Sequence, residues 1–81
     1  MTPRELRAKL LKHGRRPLGK LIEIPIKAEG KQLYADIKNS RAYSYFMVDM
    51  NTQSIREGHI FKQDEKKVFG SFKFPAIPLA Q

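Results

Sequence analysis

The hydrophobic pattern of this chain changes period once, near Gly14. Before it, Leu6, Leu10 and His13 fall on one face when placed at about 100° per residue, and Leu11 widens that face. Arg4, Lys9 and Lys12 fall on the other side. Thr2-Pro3-Arg4-Glu5 reads as a helix start. Thr2 can accept from the amide of Glu5, Glu5 can reach back to Thr2, and Pro3 suits the first helical position. Gly14 is placed to stop the helix, and Lys12 and His13 suit the negative end of its dipole. The spacing predicts a helix over about residues 3–13. A helix this short is marginal alone, so it must dock on something.

After Gly14 the period becomes 2. Ile22, Ile24 and Ile26 alternate with Glu23, Pro25 and Lys27, which predicts a half-buried strand with an edge position or bulge at Pro25. Glu29-Gly30 is a turn, after which Leu33, Ala35 and Ile37 alternate with Tyr34, Asp36 and Lys38. Asn39-Ser40 is a second turn, and Arg41 to Met50 is the longest strand candidate. Asn51-Thr52-Gln53 leads into a fourth strand, Ser54 to Phe61, weakened by Gly58. A polar turn at Gln63-Asp64-Glu65-Lys66 leads to a fifth, Val68 to Phe74, and Pro75 and Pro78 end regular structure. Short connections between consecutive strands specify an antiparallel meander.

The fold class expected is α+β: a short N-terminal helix followed by a five-stranded antiparallel meander. The first expectation is that the strands curl into a small SH3-like or OB-like half-barrel; the second is a flat meander with the helix across one face. The 81 residues make one small domain, with a basic linker at 14–20, a sheet over about 21–74 and a proline-containing tail at 75–81. The expected core is Leu6, Leu10, Ile22, Ile24, Ile26, Leu33, Ile37, Phe46, Val48, Phe72 and Phe74. So small a core is marginally stable, and partner binding or self-association as a homodimer would add to it.

Charge sharpens this picture. The chain carries 16 Lys+Arg against 8 Asp+Glu, a net +8. Residues 1–20 hold seven basic side chains against Glu5 alone, while the remaining residues are nearly balanced. This asymmetry favours a phosphate-bearing or acidic partner. There is no cysteine, which excludes disulfides, thiolate metal sites and a cysteine nucleophile. No stretch has the apolar length of a membrane span, and the basic start lacks the apolar run of a secretory signal. A cytoplasmic location is the expectation.

No catalytic constellation emerges, and the chain is not expected to be an enzyme or to carry a cofactor or metal. His13 and His59 are the only histidines. Glu57 and His59 lie two apart on a strand and could pair on one face, an arrangement found more often as a solvated contact than as an acid–base site. The tail Pro75-Ala76-Ile77-Pro78 fits P-x-x-P, a pattern common by chance and better read as a frayed or packed terminus.

Two features point to binding. If Phe46 and Val48 face the core, Arg41, Tyr43 and Tyr45 project from the opposite face; if Leu33, Ala35 and Ile37 do likewise, Tyr34 and Lys38 join them. Aromatic rings among cations on a sheet form a stacking platform for unpaired bases, although tyrosines also stabilise ordinary sheet faces. The segment from Lys12 to Lys20, with Arg15 and Arg16 at its centre, is short, basic and punctuated by glycine and proline, suited to tracking phosphates or to a solvated linker. The leading expectation is a small non-catalytic nucleic-acid-binding protein of weak sequence preference, for DNA or RNA. Lys12, Arg15, Arg16, Lys20, Lys38 and Arg41 would contact phosphates, and Tyr34, Tyr43 and Tyr45 would stack on bases. The alternative is a protein–protein interaction module, a small regulator, inhibitor or assembly subunit that binds an acidic partner through the same residues.

Overall fold

The computed structural model describes residues 1–58, 72 and 77–79. Helix α1 spans Pro3–Lys12, and five strands follow: β1 Lys20–Ala28, β2 Lys31–Lys38, β3 Arg41–Asp49, β4 Ser54–Gly58 and β5 Ile77–Pro78. They form one antiparallel sheet in the order β1-β2-β3-β4-β5, which does not close into a barrel.

The helix begins and ends as its sequence dictates. The Glu5 amide donates to Thr2 Oγ1 at 3.2 Å, and the Thr2 amide donates to Glu5 Oε1 at 3.0 Å, a reciprocal capping box. The Thr2 amide holds the Glu5 carboxyl below its ordinary pKa. At the other end Gly14 adopts φ +75°, its amide reaches Leu11 O, and the Arg15 amide reaches Leu10 O at 2.8 Å. This left-handed stop satisfies the last helical carbonyls and turns the chain back over the sheet. Leu6 and Leu10 are fully buried, worth roughly 1.5–3 kcal/mol each, whereas Leu11 remains exposed.

Both faces of the sheet are apolar. Beneath the helix lie Leu21, Tyr34, Phe46, Val48, Ile55 and Leu79, packed with Leu6 and Leu10. On the opposite face Leu33, Met47 and Phe72 form a second cluster, flanked by Ile24, Ile26 and Tyr45. The expected core is therefore corrected along β1. Leu21 faces the helix, Ile22 is 43% exposed, and Ile24 and Ile26 pack on the far side. Ile37 is likewise half-buried rather than enclosed. Period-2 alternation fixes which residues of one strand share a face, but not which face meets the helix.

A single bulge sets that choice. Asn39 and Ser40 have φ of 54° and 61°, the two left-handed residues of a tight hairpin turn, and Lys38 pairs with Arg41 and Ile37 with Ala42. A regular ladder would continue by pairing Asp36 with Tyr43 and Leu33 with Phe46. Instead Asp36 pairs with Ser44, Tyr34 with Phe46 and Leu33 with Met47. Tyr43 is the extra residue, and from that point every β3 side chain meets the opposite parity of β2. The ladder is irregular again between Ile24 and Ala28, as Pro25 suggests.

Among the described residues the fifth strand is Ile77–Pro78. Ile77 pairs with Ile55 and Pro78 with Ser54, and the Leu79 amide donates to Gln53 O at 2.9 Å. Ile77–Pro78 is thus the outermost strand among the described residues, a place where proline needs no donor on its outer side. The segment Val68 to Phe74, apart from Phe72, lies outside the described residues, as do His59 and the end of the expected fourth strand.

The bulge yields a test. Deletion of a residue inside a strand ordinarily inverts the faces beyond it, yet deletion of Tyr43 should close the ladder while keeping Tyr34 opposite Phe46. The variant is expected to unfold cooperatively with the wild-type circular dichroism spectrum; an unfolded product would show that Tyr43 is not the inserted residue.

Candidate functional site

The loop between α1 and β1 is fastened to the sheet by charged groups. Asp36 is fully buried, and its two carboxylate oxygens accept from the Leu18 and Gly19 amides, each at 2.8 Å. Arg7 donates to the Gly19 carbonyl from the helix above. Gly19 approaches β2 so closely that an added Cβ would lie 2.1 Å from Ile37 O, so only glycine fits. Pro17 is buried in the same loop.

Arg15 completes the attachment. Its Nε donates to Glu57 Oε1 at 2.7 Å and its Nη2 to Glu57 Oε2 at 2.6 Å, a two-pronged pair. Nη2 also reaches Ser44 Oγ at 3.2 Å, and the guanidinium lies 5.6 Å from the Phe46 ring centre. The hydrogen bond to Glu57 raises the Arg15 pKa above its already high value. Arg15 was expected on phosphates; it is instead committed to holding the loop. Glu57, expected beside His59, takes part in this clamp. The missed signal is the matching of one arginine in a loop to one glutamate on β4, which are 42 positions apart in sequence.

The expected tyrosine row does not form. Tyr34 is fully buried under the helix, and its hydroxyl donates to the Met1 carbonyl. It is corrected from a stacking residue to a core residue. Burial first, and the facing Glu23 carboxylate second, push its pKa up to about 12. Tyr45 sits on the other face against the second cluster, and Tyr43 is the inserted residue of the bulge; both are half-buried. Arg41 does not share Tyr45's row, because the bulge falls between them.

What the structure does gather is charge. No acidic residue occurs between Glu5 and Glu23, or between Asp36 and Asp49. The pairing of Lys20 with Ile37, together with the Gly19 contact on Lys38, brings these two acid-free stretches to the same end of the sheet. Arg16, Lys20, Lys38 and Arg41 are exposed there. None of the four, nor exposed Lys12 at the helix end, makes a side-chain hydrogen bond or ion pair with a described residue. Exposed Leu18 and Ile22 border Lys20. The opposite end of the sheet carries Glu29 and Asp49 beside Lys31, near an open groove of about 470 Å³ along the β1 irregularity, lined in part by Ile24, Pro25 and Ile26. No group of three or more His, Asp or Glu that could hold a metal occurs among the described residues. No described helix is long and apolar enough to cross a membrane.

No family model, curated protein or solved structure matches the chain.

Two outcomes are expected. Arg15→Ala should destabilise the fold by about 1–2 kcal/mol in urea unfolding, because it removes a charged bidentate contact, while Arg16→Ala should stay within about 0.5 kcal/mol. Tyr34 has a folded pKa above its unfolded value of 10.0, so its contribution to stability is whole below pH 10 and is lost as pH rises toward about 12. Absorbance at 295 nm should show one phenol ionising late, together with alkaline unfolding, and Tyr34→Phe should remove that late step.

Proposed function

We propose that this protein binds nucleic acid without catalysing a reaction, through the exposed cations at the hairpin end of the sheet. The observation that carries the reading is the meeting of the two acid-free stretches, which places Arg16, Lys20, Lys38 and Arg41 on one rim with no described partner. Phosphate oxygens supply the negative charge this rim lacks, and four cations on a fixed scaffold are a sequence-independent grip. Lys12 extends the rim from the helix. Tyr45, half-buried on the far sheet face, and Tyr43, half-buried at the bulge, can add edge contact, but full stacking would require them to move. Arg15 and Asp36 serve this role from beneath, holding the loop that presents Arg16 and Lys20. A further part of this proposal is that the open sheet curls into a small SH3-like or OB-like half-barrel.

A second reading has its own observation. Leu18 and Ile22, 57% and 43% exposed, adjoin Lys20 and would suit an acidic protein partner with an apolar anchor. Capture of partners before and after nuclease digestion separates the two.

The primary test is a salt series. Binding of a mixed-sequence oligonucleotide should weaken steeply between 50 and 200 mM salt, with a slope of log K against log salt of about −3 for four phosphate contacts. Arg16→Ala combined with Lys20→Ala should halve that slope for all sequences alike, and a binding constant indifferent to salt would reject the phosphate grip.

A further inference from the structure

We propose that the tip of the β2–β3 hairpin is a finger that enters the major groove of double-stranded DNA, an inference that rests on the nucleic-acid reading above. The tip is Lys38-Asn39-Ser40-Arg41, and all four residues are exposed. Each side chain is polar, and none bonds to a described residue. Such groups elsewhere on this surface are tied to turns. Asn51 bonds to Glu29 O, and Gln53 to Met50 O.

The backbone beneath these free groups is fixed. Asn39 and Ser40 both occupy the left-handed region that a two-residue hairpin requires, and Lys38 and Arg41 pair directly below them. The backbone of the turn needs little ordering on contact, so the cost that remains is that of the side-chain rotamers. The ladder also sets the reach. β1 pairs no further than Ile37, and Gly19 just before it packs against Ile37 and Lys38. On the β1 side the turn Asn39-Ser40 therefore stands one to two residues, roughly 3–7 Å, beyond its flank.

A two-stranded ribbon of this kind, with strands about 4.8 Å apart, fits a major groove about 12 Å wide. Asn39 can donate to and accept from a base edge, Arg41 and Lys38 can donate to guanine or phosphate, and Ser40 can do either. Arg16 and Lys20 at the base of the finger then face the flanking phosphates. The deep, narrow major groove of an RNA duplex would not admit the ribbon. A single strand offers no groove.

Fluorescence anisotropy with a labelled duplex DNA of about 20 base pairs, its separate strands, and the matching RNA duplex tests the inference. The DNA duplex should bind at least tenfold more tightly than the strands or the RNA. Lys38→Ala with Arg41→Ala should reduce the salt slope by about 2. Asn39→Gly preserves the left-handed turn, so it should keep the wild-type melting temperature while changing the ranking among duplex sequences. Equal or tighter binding to single strands or to duplex RNA would overturn the finger and leave the phosphate rim intact. A Lys38/Arg41 variant with unchanged affinity and slope would overturn the finger and would also remove Lys38 and Arg41 from the rim, leaving only the Arg16 and Lys20 contacts to be tested by their own variant. Salt-dependent binding to none of the probes would overturn the rim itself.

Discussion

One inserted residue in β3 decides how the molecule is assembled. The turn at Asn39-Ser40 starts a regular ladder, and the bulge at Tyr43 shifts it by one position. Because side chains alternate strictly along a strand, that shift exchanges inside for outside over the rest of the hairpin. It places Tyr34, Asp36, Ser44, Phe46 and Val48 on the helix side, and Leu33, Ala35, Tyr45 and Met47 on the other. The contacts that β3 makes with the helix and the loop are conditional on this division. Asp36 can receive the loop amides, and Arg15 can reach Ser44, only because both residues face the loop.

The loop between α1 and β1 is consequently part of the structural core rather than a free basic tether. A fully buried carboxylate is costly unless its oxygens are occupied, and two amides at 2.8 Å occupy those of Asp36. Gly19 gives the close approach that makes this geometry reachable, and the Arg15–Glu57 fork fastens the same loop to β4. Charge in this protein thus has two separate uses. Arg7, Arg15 and Lys9 donate inward, Lys9 to the Leu79 carbonyl at 2.7 Å. Arg16, Lys20, Lys38 and Arg41 face solvent, and their excess is the surface property on which the proposed binding rests.

Small domains without disulfides or metals must draw stability from many modest sources. Here the capping box, the left-handed helix stop, two thin apolar layers and the strand added by Ile77–Pro78 all contribute. The last of these comes from a segment whose prolines suggested an end to regular structure. Proline is compatible with an outermost strand because one side of such a strand needs no donors.

Sequence alone determined the local features of this chain. Thr2 and Glu5 specify the helix start and Gly14 its end, since capping depends on neighbours within a few positions. Alternation delimited β1, β2 and β3, Glu29-Gly30 and Asn39-Ser40 marked their turns, and the uneven placement of charge was plain. Tertiary structure decided everything that required two strands to be compared. Both rows of β3 are apolar enough to be buried, no glycine marks the bulge, and nothing local distinguishes Tyr34 in the core from Tyr34 on a surface. The loop carries several cations of equal local character, and only the folded distance to Glu57 separates Arg15, which holds the structure, from Arg16, which is exposed and has no partner among the described residues.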